Sequence, residues 1–275
     1  MTYGVRSVTV SFGDLRALDD VTVEVAPGSI VAVVGGDGAG KTTLLRTLVR
    51  EIRPDRGEAT APPKTDIGFL PASSGSWASL TVAQNLDFAG GVFGLNGEAL
   101  ARRRDLLLAG AGLTQAADRL ASQLSGGMRR KLGFCMAIVG DPALLVLDEP
   151  STGVDPVSRI DLWRLVSEAA AAGTAVIMST TYLDEAERAA HLVVLDAGDI
   201  LVQGPYDSVR ADFPGTVTES DIPVRPEWSW RRGRQRHEYW PDGDPPTHLD
   251  VVDPDLEDIV IALSLVRRAR VGAAS

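Results

Sequence analysis

The segment SIVAVVGGDGAGKTT, residues 29–43, constrains this chain more than any other. Its first half is apolar at both odd and even positions, as in a parallel strand buried on both faces. A glycine-rich loop follows, and TTLLRTLVREI then runs in helical period until it is stopped near Pro54. The loop from Gly35 to Thr43 satisfies G-x-x-x-x-G-K-[ST] through Gly35, Gly40, Lys41 and Thr42. Glycines here, Gly38 among them, let backbone N–H groups reach phosphate oxygens unobstructed, and the helix N-terminus adds positive potential. In this context Lys41 is expected at the β- and γ-phosphates and the Thr42 hydroxyl on magnesium, with Thr43 beside it. A glycine-rich turn without a ligand is the plain alternative; a lysine and two threonines in register weigh against it.

A magnesium-bound triphosphate needs a second acidic element, and LLVLDEP offers one. Four apolar residues form a buried strand, with Asp148 and Glu149 at its carboxyl end, where open parallel sheets bind ligands. Asp148 is expected to hold magnesium directly or through water, and Glu149 to polarise an attacking water. Alone, such a pair more often caps a helix; downstream of the phosphate loop, the catalytic reading is preferred.

The surrounding pattern predicts an α/β fold: a P-loop NTPase core with a parallel sheet and helices on its faces. SVTVSF and DVTVEVA read as antiparallel strands of a small subdomain. Residues 73–140 read as a helical insertion, after which strands and helices alternate again to about residue 210. Residues 211–275 form a C-terminal extension, expected to hold two strands with a turn and a closing helix that starts near Asp253 or Asp255. A net charge of −10 argues against a nucleic-acid coat. The lone Cys135 lies in an apolar helix and is expected to be inert. Neither a secretory leader nor a run of ~18 apolar residues is visible, so any membrane role implies a spanning partner.

Between the loop and the acidic strand stands LSGGM, Leu124 to Met128, followed by RRKL. Ser125, Gly126 and Gly127 open a helix and make a second anion site, which one chain cannot easily fold onto its own nucleotide. With these ordered motifs, residues 3 to 210 resemble the ATP-binding subunits of ATP-binding-cassette (ABC) transporters, specifically the drug-exporter branch. The resemblance implies ATP and Mg2+ as ligands, and two such domains packed head to tail with each signature closing the other's site. It implies a transmembrane permease as partner at the cytoplasmic face of the membrane. It also places Phe12 against adenine, with an ordinary strand aromatic as the alternative, and Asp155 of STGVDP across the dimer interface.

Two positions depart from the family pattern. The strand IGFLP is normally followed by a glutamine that contacts magnesium and water and reports to the membrane domain; here it is followed by Ala72. Before Tyr-Leu-Asp-Glu-Ala-Glu exporters carry a histidine at the γ-phosphate; here stands Thr181. Phosphoryl transfer depends on positioning, so these changes should cost rate more than binding. The expectation is an asymmetric heterodimer: this chain holds MgATP and hydrolyses it slowly, while its signature completes a second, different subunit's site. A modestly impaired site, a soluble ABC ATPase of translation or DNA repair, and a non-hydrolysing regulatory binder are the alternatives. Arg129, Arg130 and Lys131 are expected on a solvated or interface helix face. WSWRRGRQRHEYW, residues 228–240, suits either an amphipathic hairpin packed on the body or an RNA or lipid surface, with the acidic total against nucleic acid.

Overall fold

The computed structural model describes residues 2–274. Its centre is a six-stranded sheet with strands β3 (Ile30–Val34), β5 (Ile67–Leu70), β6 (Leu144–Leu147), β7 (Ala175–Thr180), β8 (His191–Asp196) and β9 (Asp199–Gly204). The order is β5-β6-β7-β3-β8-β9, parallel except for the β8–β9 hairpin. Alternate residues feed two cores: Ile30, Ala32 and Val34 face one, Val31 and Val33 the other. Burial on both faces is what leaves β3 and β6 wholly apolar.

On one face lie α1 (Lys41–Leu48) and a three-stranded antiparallel sheet of β1 (Tyr3–Phe12), β2 (Leu15–Val25) and β4 (Arg56–Thr60). The opposite face carries α2 (Val82–Val92), α3 (Gly97–Gly110), α4 (Gly126–Ile138) and α5 (Pro156–Ala171). The first three make up the helical insertion. Cys135 in α4 is buried, and burial pushes its thiol up to about 12, which leaves it protonated at neutral pH. The LDEAERAA segment yields only the short α6 (Leu183–Ala186).

The C-terminal region departs from the expected two strands. Beyond α7 (Tyr206–Ala211), four strands assemble in the order β11-β12-β10-β13. They are β10 (Thr216–Ser220), β11 (Ser229–Arg232), β12 (Gln235–Trp240) and β13 (Asp250–Val252), followed by α8 (Leu256–Ala274). The Arg/Trp segment is the β11–β12 hairpin, and its aromatics pack inward. Trp230 and Tyr239 are buried with Val217 and Ala262, and the Arg225 guanidinium lies 3.8 Å from the Trp240 ring centre. Arg232 is paired with Asp255 and Glu257. The buried Asp258 carboxylate accepts the Trp230 indole N–H at 3.2 Å and faces His237 Nδ1 at 2.8 Å. Asp258→Ala strands both groups, and we expect it to cost roughly 2–4 kcal/mol in urea unfolding, against under about 0.5 for the exposed Arg231→Ala.

Candidate functional site

Strand register brings the site together. Leu70 pairs with Leu147, Leu147 with Met178, and Val34 with Thr180. The next residue of each strand is therefore at one edge: Pro71, Asp148, Ser179–Thr181 and Gly35. Gly35 begins the loop that carries the chain from β3 into α1. Gly40 cannot be replaced cheaply, because its φ is +107° and a Cβ would sit 2.6 Å from the Ala17 carbonyl oxygen.

Lys41 is 5% exposed, and its Nζ donates to the carbonyls of Gly35 (2.8 Å) and Gly36 (3.1 Å). It also lies 3.3 Å from Glu149 Oε1. The ammonium is thus held at the loop with a carboxylate as counter-charge. The Thr42 hydroxyl donates to Asp148 Oδ1 at 3.2 Å, and Asp148 is buried. A hydroxyl and a carboxylate oxygen side by side at a phosphate loop fit magnesium, which takes few protein oxygens and completes its shell with phosphates and water. The described residues contain no cluster of three His, Cys, Asp or Glu side chains able to hold a metal ion.

Ser179 orders both acids. Its Oγ donates to Asp148 Oδ1 at 2.8 Å and accepts the Glu149 amide at 2.9 Å. Glu149 has a φ of +48°, left-handed backbone that a non-glycine residue adopts only when its surroundings enforce it. Its Oε2 accepts the Thr152 hydroxyl at 3.1 Å. Phe12, 52% exposed, lines the same cleft of about 350 Å3 as Gly36, Gly38, Gly40, Lys41, Thr42, Thr43 and Glu149.

Ser125, Gly126 and Gly127 lie away from this cleft, at the start of α4. The Ser125 hydroxyl caps the helix by accepting the Met128 amide at 3.3 Å, and Ser125 and Gly126 are exposed. Asp155 caps α5, and the amides of Ser158 and Val157 hold its exposed carboxyl below the usual carboxylate range. Its side chain also lies beside Gly127, so the two motifs abut within one chain.

A family model described as ABC transporter matches residues 18–152. The probable multidrug ABC transporter ATP-binding protein YbhF of Escherichia coli is 40% identical over 212 residues, 74% of this chain and 37% of that protein. The Nod factor export ATP-binding protein I of Cupriavidus metallidurans is 34% identical over 226 residues, covering 78% of this chain and 75% of its own length. The chain belongs to the ABC transporter family. A solved ATP-binding subunit of an ABC transporter has a TM-score of 0.71 at 27% identity, over 78% of this chain and 93% of its own. The chain spans little more than a third of YbhF.

Within this ABC fold, Ala72 and Thr181 both lie exposed at the sheet edge. Gln84, the glutamine nearest to Ala72 in sequence, is committed elsewhere: with Thr81 it forms the capping box of α2. The expectation for the arginines after the signature needs correction. Arg130 is 7% exposed and donates to the carbonyls of Pro71, Ser73 and Glu149 at 2.9, 2.9 and 2.7 Å. Burial pulls its guanidinium below the usual arginine range, against the pull of Asp148 and Glu149. Lys131 pairs with Asp161, and Arg129 donates to the carbonyls of Ala121 and Leu124.

Sequence reading missed Ser179 and a second buried cluster. There Glu185 Oε2 accepts the hydroxyls of Ser151 (2.8 Å) and Thr180 (2.6 Å), and Oε1 meets Arg159 at 3.3 Å. The available signal was position alone: Ser179 and Thr180 end a parallel strand, where ligand-facing polar residues collect. Removing the hydroxyl that orients Asp148 should weaken magnesium dependence rather than nucleotide contact. Ser179→Ala is expected to raise the Mg2+ concentration for half-maximal ATP-analogue binding about 10-fold, read by fluorescent-nucleotide titration.

Proposed function

We propose that this chain is the ATP-binding subunit of a membrane exporter and one half of an asymmetric pair. Its own cleft holds MgATP and hydrolyses it slowly; its signature, Ser125 to Gly127, completes the site of a second, different ATP-binding subunit. The observation that carries the reading is the composition of the sheet edge. Lys41, Thr42, Asp148 and Glu149 are held in binding order, while Ala72 offers a methyl group and Thr181 a short hydroxyl beside them.

Binding draws on the loop amides, the buried ammonium and the Thr42–Asp148 pair, all retained. Hydrolysis also needs groups that orient water and stabilise charge developing on the transferred phosphoryl group. Removing one such group typically costs about 100- to 1,000-fold in rate. Glu149 keeps its carboxylate at the cleft, which favours slow turnover over a pure regulatory binder. Bound magnesium would supply charge neutralisation at the phosphates, held from this chain by Thr42 and Asp148. Phe12, at the rim, offers an exposed ring for adenine.

A permease partner is supported by a groove next to the Ala72 loop. Pro71, Ser74, Trp77, Phe88, Val92 and Met136 line it, around about 270 Å3. Trp77 and Phe88 stand edge to face at 4.4 Å although both are about half exposed. Exposed paired aromatics of this kind mark a docking surface, here for a cytoplasmic segment of the permease. No helix among the described residues is long and apolar enough to cross a membrane. The relatives named for multidrug and Nod factor export support the outward direction.

The test is made on the assembled complex. Glu149→Gln in this chain should lower ATPase less than about twofold, whereas the same change in the partner subunit should remove nearly all of it. Near-complete loss from Glu149→Gln alone, or an active form containing only this chain, would contradict the asymmetric pair.

A further inference from the structure

Among the described residues, Arg130 is the only arginine whose side chain bonds both to the Ala72 loop and to the acidic strand end, and its setting is specific. NH1 bridges the carbonyls on either side of Ala72, those of Pro71 and Ser73, and NH2 reaches the carbonyl of Glu149. The planar fork of a guanidinium suits this division; a lysine ammonium offers a single point of attachment. The loop is gripped a second time by α4. Gly133 leaves room for the Ser74 carbonyl, which would lie 2.3 Å from a Cβ there. Pro71, Ser74 and Gly75 are at the same time walls of the aromatic groove.

At the other end of the fork is left-handed backbone. Glu149 is held at φ +48° by three bonds on its own peptide groups: its amide to Ser179, and its carbonyl to Arg130 and to the Thr152 amide. Strained backbone persists only where neighbours over-determine it. Movement of the loop therefore moves a constraint on the carboxylate, without any side chain from position 72.

We infer that Arg130 is the positioning residue through which the docking groove and the Glu149 carboxylate are coupled in this chain, with Ala72 contributing nothing but backbone. The inference rests on the nucleotide-site reading above and adds a route by which nucleotide in the cleft is reported to the groove. The route is a contiguous one: cleft, Glu149 peptide, Arg130, Pro71–Ser74, Trp77. It explains why a loop that has lost the family's glutamine is nevertheless bonded to α4 and to the acidic strand end.

The test uses the full chain labelled with 5-fluorotryptophan, with the Trp77 fluorine resonance assigned through Trp77→Phe. A non-hydrolysable ATP analogue with Mg2+ should shift Trp77 in the unaltered chain. Arg130→Lys should bind the analogue within about twofold of the same affinity and lose at least about two thirds of the Trp77 shift. The buried Trp163 and Trp230 resonances should stay in place and report an intact fold. Arg130→Gln, which keeps two amide donors on a shorter stem, serves if the lysine variant does not fold, and should show the same split. A full Trp77 shift in a folded Arg130 variant overturns the coupling, as does an unaltered chain that binds the analogue without moving Trp77. An unaltered chain that binds no analogue overturns the nucleotide-site reading, and is told apart by the missing affinity.

Discussion

With both faces of the central sheet buried, the polar groups of the site are confined to where its strands end. Parallel pairing then decides which residues meet: β5 and β6 stop level with each other, and β7 runs two residues past them to stop level with β3. Leu70, Leu147, Met178–Thr180 and Val34 set that line, and the residues just beyond it make the site. Ser179 sits at the centre. One hydroxyl fixes both the Asp148 carboxylate and the Glu149 amide, so the orientation of two acids is inherited from the register of β6 on β7.

The same line explains why binding and hydrolysis can part company. Lys41 and Thr42 belong to the loop and helix and keep their bonds to Gly35, Gly36 and Asp148. Positions 72 and 181 belong to the neighbouring strand ends and contribute a methyl group and a hydroxyl. A chain can lose positioning groups there and still retain the cradle, since the cradle is built from backbone and from residues on the other elements. Arg130 restores a physical link across that line, through carbonyls rather than through a side chain at position 72.

Much of this was legible in the sequence, for a definite reason. Gly35 to Thr43 and Asp148–Glu149 are local motifs whose neighbours in sequence are also their structural context. The family resemblance at Ser125–Gly127 was readable on the same basis. Ser179 and Glu185 were not, because their importance comes from partners thirty or so positions away across strand register. The inward course of Arg130 is not legible, because a run of three basic residues on a helix usually lies on a solvated or interface face; only the fold shows that the middle one turns inward onto three carbonyls. The C-terminal sheet was under-counted for a similar reason. Its fourth strand, β13, has three residues and pairs with β10 more than thirty positions earlier, so no local period marks it. LDEAERAA carried a helical pattern and gave one turn, with Glu185 drawn into the core to satisfy Ser151 and Thr180.

The central claim is that this cleft holds ATP and hydrolyses it slowly. It is tested most directly by photolabelling the assembled complex with α-labelled 8-azido-ATP and Mg2+, then recovering the nucleotide bound to this chain. The account predicts label on this chain recovered mainly as the triphosphate, and its loss in Lys41→Ala. Label recovered mainly as the diphosphate, or labelling that survives Lys41→Ala, would contradict it.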